Sequence, residues 1–91
     1  MHVKDLINSV EGLEPELTLY FEAQEEPAPF SVLHQENDTI VIKSDQKPLK
    51  LAQVEASLNR CPNDAFILFK YKGNTYPLFG FRRVENKLYF K

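Results

Sequence analysis

Apolar residues recur along this chain with two periods, and the switches between them predict its elements. Val3, Leu6, Ile7 and Val10 are spaced i, i+3, i+4 and i+7, which lines one face of a helix. Lys4, Asp5, Asn8 and Glu11 take the other face; Gly12 is a natural stop and Pro15 forbids continuation. Leu51, Val54 and Leu58 repeat the spacing, with Ala52, Glu55 and Ala56 adding helix propensity before Pro62. A proline-marked loop follows each helix, then an extended aliphatic and aromatic run, Leu17–Phe21 or Ala65–Phe69. Lys72-Gly73-Asn74-Thr75 predicts a hairpin turn that sets Leu68 opposite Phe79 and Phe69 opposite Leu78. Glu36–Thr39 and Val84–Lys87 lead into closing strands at Ile40–Ile42 and Leu88–Phe90.

These elements recur in register. Residues 1–43 align with residues 49–91 at a constant offset of 48 and without a gap. Identities are few (Ser9/Ser57, Phe21/Phe69, Pro29/Pro77, Lys43/Lys91), but the apolar positions match throughout. The expectation is an internal duplication: two αβββ units in tandem, residues 1–43 and 49–91, joined by a connector at 44–48. Together they make a single α+β domain over residues 1–91, with two helices and antiparallel sheet or sheets related by a pseudo-twofold.

One expected strand face in the second unit holds Phe66, Leu68, Phe79, Phe81, Leu88 and Phe90, and the other holds Ile67, Phe69, Tyr71, Tyr76, Leu78 and Tyr89. Both are apolar, so each needs a cover: the other unit, a second chain or a ligand.

Composition places the chain among globular domains, since 43% hydrophobic and 26% charged residues are too apolar for disorder. No apolar run approaches the roughly 20 residues of a membrane-spanning helix. Met1-His2-Val3-Lys4-Asp5 has none of the parts of a signal peptide. With a single cysteine, Cys61, no internal disulfide forms, and the expected setting is the cytoplasm.

Charge changes the picture more. Residues 1–48 carry three lysines against ten carboxylates, a net −7, while residues 49–91 carry eight bases against three acids, a net +5. Such asymmetry speaks to partners rather than fold. It also suggests that two chains pair antiparallel as a homodimer, acidic half to basic half.

Candidate chemistry is sparse. His2 and His34 have no neighbours spaced as co-ligands, so no metal site is expected. Cys61 aligns with Leu13 and fits a small core residue better than a nucleophile. The carboxylates Glu14, Glu16, Glu22, Glu25 and Glu26 fall in loops, and the glycines form no phosphate cradle. No cofactor is expected. One constellation stands out: Lys70, Tyr71, Lys72, Tyr76, Arg82, Arg83 and Tyr89, cations interleaved with aromatics. It is a candidate interaction surface, because cations neutralise phosphate and rings stack on bases.

Residues 3–19, with Val3-Lys4-Asp5-Leu6-Ile7 followed by Leu13-Glu14-Pro15, resemble the opening of small bacterial and phage accessory proteins of uncharacterised activity. The resemblance implies a small α+β accessory protein and carries no functional residues. The resulting expectation is a non-enzymatic protein-interaction module with a protein partner and no membrane. Single-stranded nucleic-acid binding by the second unit is the alternative, which the acidic first half disfavours.

Overall fold

A computed structural model describes residues 1–91. The first half forms α1 (Val3–Ser9), β1 (Thr18–Phe21), β2 (Ala28–Pro29), β3 (Val32–Glu36) and β4 (Thr39–Lys43). The second half forms α2 (Leu51–Leu58), β5 (Phe66–Tyr71), β6 (Asn74–Pro77), β7 (Phe81–Val84) and β8 (Lys87–Phe90). The class is α+β. Each half carries four strands where three were expected. The expected middle strand of the second half is broken at Pro77 and Gly80, which release the chain from one sheet so that it enters the other.

Helices this short are marginal alone, and each is held from both sides. The His2 amide donates to Asp5 Oδ2 at 3.0 Å and the Lys50 amide to Gln53 Oε1 at 2.9 Å, satisfying the amide that caps each helix. The Val3 amide donates to the Ala65 carbonyl at 2.9 Å, and the Leu51 amide to the Leu17 carbonyl at 2.7 Å. Each helix therefore starts on the strand entry of the other half.

The strands form two four-stranded sheets, β2-β1-β8-β7 and β3-β4-β5-β6. The outer pairs are antiparallel, but the central pairs, β1 with β8 and β4 with β5, are parallel. Neither sheet is built from one half alone. Leu19 faces Leu88 and Tyr20 faces Tyr89 in the first sheet; Ile67 faces Ile40 and Leu68 faces Val41 in the second. Exchanging residues at the offset of 48 converts one set of pairs into the other, down to the single bridges His2–Phe66 and Lys50–Thr18. That is the pairing a pseudo-twofold axis requires.

The hairpin turn sits one residue earlier than expected. Lys72 and Gly73 take φ values of +49° and +80°, as a tight turn of this twist demands. Leu68 therefore faces Pro77, and Phe69 faces Tyr76.

The inner faces of both sheets and the helical residues Val3, Leu6, Val10, Leu51, Val54 and Leu58 share one core, with no polar side chain buried in it. Phe30 and Leu78, where the chain crosses between sheets, are fully buried. The Phe30 ring lies 5.3 Å from Phe69 of one sheet and 5.1 Å from Phe90 of the other. Burying a ring of this size contributes roughly 1.5–3 kcal/mol. The strand faces group differently from the expectation. Ile67 and Phe69 share the interior with Leu88 and Phe90, while Phe66, Leu68 and Tyr89 point outward. No helix is long and apolar enough to cross a membrane.

Candidate functional site

Alternation along the strands gives each sheet an outer face, and the two faces carry different chemistry at equivalent positions. On the first sheet the pairing aligns Pro29, Tyr20, Tyr89 and Arg82 in one row. The tyrosine rings stack with centroids 5.6 Å apart. The Arg82 guanidinium lies 5.0 Å from the Tyr89 centroid, and Lys87 Nζ lies 5.6 Å from that of Tyr20. Arg82 also pairs with Glu22.

On the second sheet the equivalent row is Pro77, Leu68, Val41 and His34. Phe66 on β5 and Val32 on β3 extend it toward opposite ends of the sheet and remain 38% and 46% exposed. Lys43 stands directly opposite Lys70 across the parallel pair. Neither lysine has a carboxylate within ion-pair distance, unlike Lys72, Arg82 and Arg83. The equivalent positions, just past the ends of β8 and β1, are Lys91 and Glu22, of opposite charge. Two like charges side by side on a sheet destabilise it, so this apolar face is bordered by an uncompensated positive pair.

Between β6 and β7, Phe79 is 81% exposed. Its counterpart, Ser31, lies under the connector: Ser31 Oγ donates to the Lys47 carbonyl at 2.7 Å and accepts from the Asp45 amide at 2.9 Å.

A cleft of about 410 Å³ opens where β1 and the β5–β6 hairpin end, lined by Phe21, Glu22, Ala23, Glu25, Tyr71, Lys72 and Tyr76 among others. A smaller cavity of about 210 Å³ lies beside the end of α2, reaching Leu33, Ile40, Ser57, Arg60 and Cys61. Cys61 is a free, half-buried thiol that donates to the Ser57 carbonyl at 3.3 Å. His34 Nε2 lies 3.4 Å from Glu36. No cluster of three or more histidine, cysteine or acidic side chains is placed to hold a metal ion.

The seven residues singled out in the sequence do not form one surface. Arg82 and Tyr89 share the outer face of the first sheet. Tyr71, Lys72 and Tyr76 line the cleft. Lys70 lies on the outer face of the second sheet. Arg83, one residue from Arg82, turns the opposite way and pairs with Glu14, while its Nε donates to the Glu85 carbonyl at 2.9 Å. Tyr20 belongs with Tyr89 and was missed, because only the parallel pairing of β1 with β8 brings it there. Three acids of the first half, Glu14, Glu22 and Glu25, pair with Arg83, Arg82 and Lys72 of the second. The charge asymmetry is thus partly spent within one chain, and less of it remains to drive a homodimer.

No family model matches the chain, and no curated protein or solved structure is found to be similar to it.

Proposed function

We propose that the protein is a non-enzymatic protein-interaction module, acting in the cytoplasm in the manner of small bacterial and phage accessory proteins. The docking surface is the outer face of the second sheet. The observation that carries this is the Lys43–Lys70 pair in one row with exposed Val32, at the end of an outer face whose other end holds exposed Phe66. An apolar patch with an unpaired cationic border suits a partner that offers apolar side chains next to a carboxylate. Such a group relieves the repulsion between the lysines when it binds, and desolvation at the interface strengthens the contact.

Site-specific photo-crosslinking in cells that express the protein tests this. A crosslinker at position 66 is expected to trap a discrete partner, and one at position 89 is not. Lys43→Glu with Lys70→Glu should abolish the product while leaving the fold intact by circular dichroism. A product unaffected by the charge reversal would overturn the assignment. A product composed of two copies of this chain would replace the external partner by a homodimer.

The stacked Tyr20–Tyr89 pair with Arg82 and Lys87 supports a second reading, single-stranded nucleic-acid binding on the first sheet. Against it, the two cations lie over the rings that bases would need, and Arg82 is already engaged by Glu22. Titration of a labelled oligonucleotide at low and high salt separates the readings. Nucleic-acid binding must weaken steeply as salt rises.

A further inference from the structure

The cleft owes its space to a difference between the halves. Tyr71 and Tyr76 of the second half stand where the first half has Ala23 and Ala28, and Tyr71, Tyr76 and Ala23 all line the opening. Ala23 on one wall thus faces large rings on the other, and Phe21, which also lines the cleft, is stacked against Phe69. The Tyr76 ring lies 5.4 Å from that of Phe21. Glu22 and Glu25 reach the rim.

The chain already places a cation here. Lys72 Nζ lies 5.3 Å from the Tyr71 centroid and 3.0 Å from Glu25 Oε2. The Glu25 carboxylate holds the lysine's pKa above its ordinary value. Ring face and carboxylate together are the two elements that recognise an organic cation. Lys72 is held only by exposed contacts on a two-residue turn. An exposed pair of this kind contributes little, so a competing cation displaces it at small cost.

We propose that this cleft binds a small organic cation, an alkylammonium or guanidinium group on an apolar body, with Lys72 as the resident group that the ligand replaces. The apolar body rests on Phe21, Tyr71 and Tyr76, in the space left by Ala23. The charged end takes the place of Lys72 Nζ at Glu25. This site is separate from the sheet face assigned to a protein partner, and the two stand or fall independently.

The test uses three probes of one shape, benzylammonium, benzyl alcohol and benzoate, titrated into the intact protein and followed by NMR at the Tyr71, Tyr76 and Phe21 ring signals. Benzylammonium is expected to bind with a Kd of about 1 mM or tighter, a reasonable strength for so small a ligand. Benzyl alcohol should bind more weakly and benzoate not at all. Lys72→Gln should tighten benzylammonium binding by about two- to fivefold, the size of an exposed ion pair. Glu25→Gln should weaken it by a similar factor. Tyr76→Leu keeps apolar bulk but removes the ring face, and should also weaken it about two- to fivefold. Melting curves of each variant confirm that the fold persists. Acetylarginine amide and butane-1,4-diamine then distinguish a peptide side chain from a free polyamine, and binding of either supports the site. Benzoate binding as tightly as benzylammonium, a Lys72→Gln variant that binds no better, or no shift with any cation at about 10 mM, beyond any useful affinity, would overturn it.

Discussion

Phe21 and Phe69, 48 residues apart and each on the inner strand of a different sheet, stack with ring centroids 4.6 Å apart and planes 14° from parallel. The stack joins the two sheets at equivalent positions. Phe69 is fully buried, whereas Phe21 borders the cleft. Phe69→Ala should therefore cost about 3–5 kcal/mol, the range for emptying a closed aromatic site. Phe21→Ala should cost less, because the space opens to water instead of closing as a void. Urea melts of the two variants measure the difference, and equal losses would contradict the asymmetry.

Neither half holds a complete sheet, since β1 relies on β8 and β4 relies on β5. Fragments 1–47 and 48–91 are expected to be unfolded separately and to regain native circular dichroism when mixed. A fragment that shows a cooperative melt alone would mean that the cross-half pairing is dispensable.

Asn37 and Glu85 occupy equivalent turns with the same φ of +54°. Asparagine adopts this left-handed conformation at lower cost than glutamate. Glu85→Asn should stabilise the protein by about 0.5–1 kcal/mol, while Asn37→Glu should destabilise it by a similar amount. Thermal melts at one pH would show it; no change in either direction would place the cost of the turn elsewhere.

Two carboxylates are held below their ordinary pKa: Asp5 chiefly by the hydrogen bond from the His2 backbone amide, and Glu14 chiefly by the hydrogen bond from Arg83. A depressed carboxylate stabilises the fold above its unfolded pKa, and this contribution disappears as the pH falls through the lower, folded value. Stability should thus decline below the ordinary values of 4.5 for Glu14 and 3.8 for Asp5. Glu14→Gln and Asp5→Asn should each flatten that decline, as followed by denaturant melts between about pH 2 and 6, a range spanning both ionisations.

Lys70→Glu places opposite charges across β4 and β5, as the sequence does with Lys91 and Glu22 at the equivalent positions. The free protein should gain about 0.2–1 kcal/mol at low salt, and the gain should shrink as salt screens the pair. A loss of stability would mean that the two lysines do not repel appreciably.

Much of the framework was legible from period and punctuation. Val3, Leu6 and Val10, with Leu51, Val54 and Leu58, marked both helices and their buried faces, and the alignment of the halves anticipated elements in the same order. What escaped was non-local. Nothing in the sequence near Tyr20 announces Tyr89, because a parallel pair is joined through most of the chain. Ala28–Pro29 is too short and too proline-bound to register as a strand. The candidate surface scattered for a simpler reason. Neighbouring residues on a strand point to opposite faces, so a run such as Arg82-Arg83 or Lys70-Tyr71 is divided by the fold that contains it.

The Met1 ammonium donates to the Leu78 carbonyl at 2.9 Å, and the Leu49 peptide nitrogen makes the equivalent bond to Phe30 at 2.6 Å. The start of the chain therefore does the work of a mid-chain amide, and Met1 and Lys91 are placed like Leu49 and Lys43, which residues 44–48 already connect. A linker of the same length between Lys91 and Met1 would close the polypeptide into a ring without asking any strand to move. Such a ring could be reopened at 44–48 to give a permuted protein with the order of its halves reversed. In this fold, first and last are positions in the chain and not in the architecture.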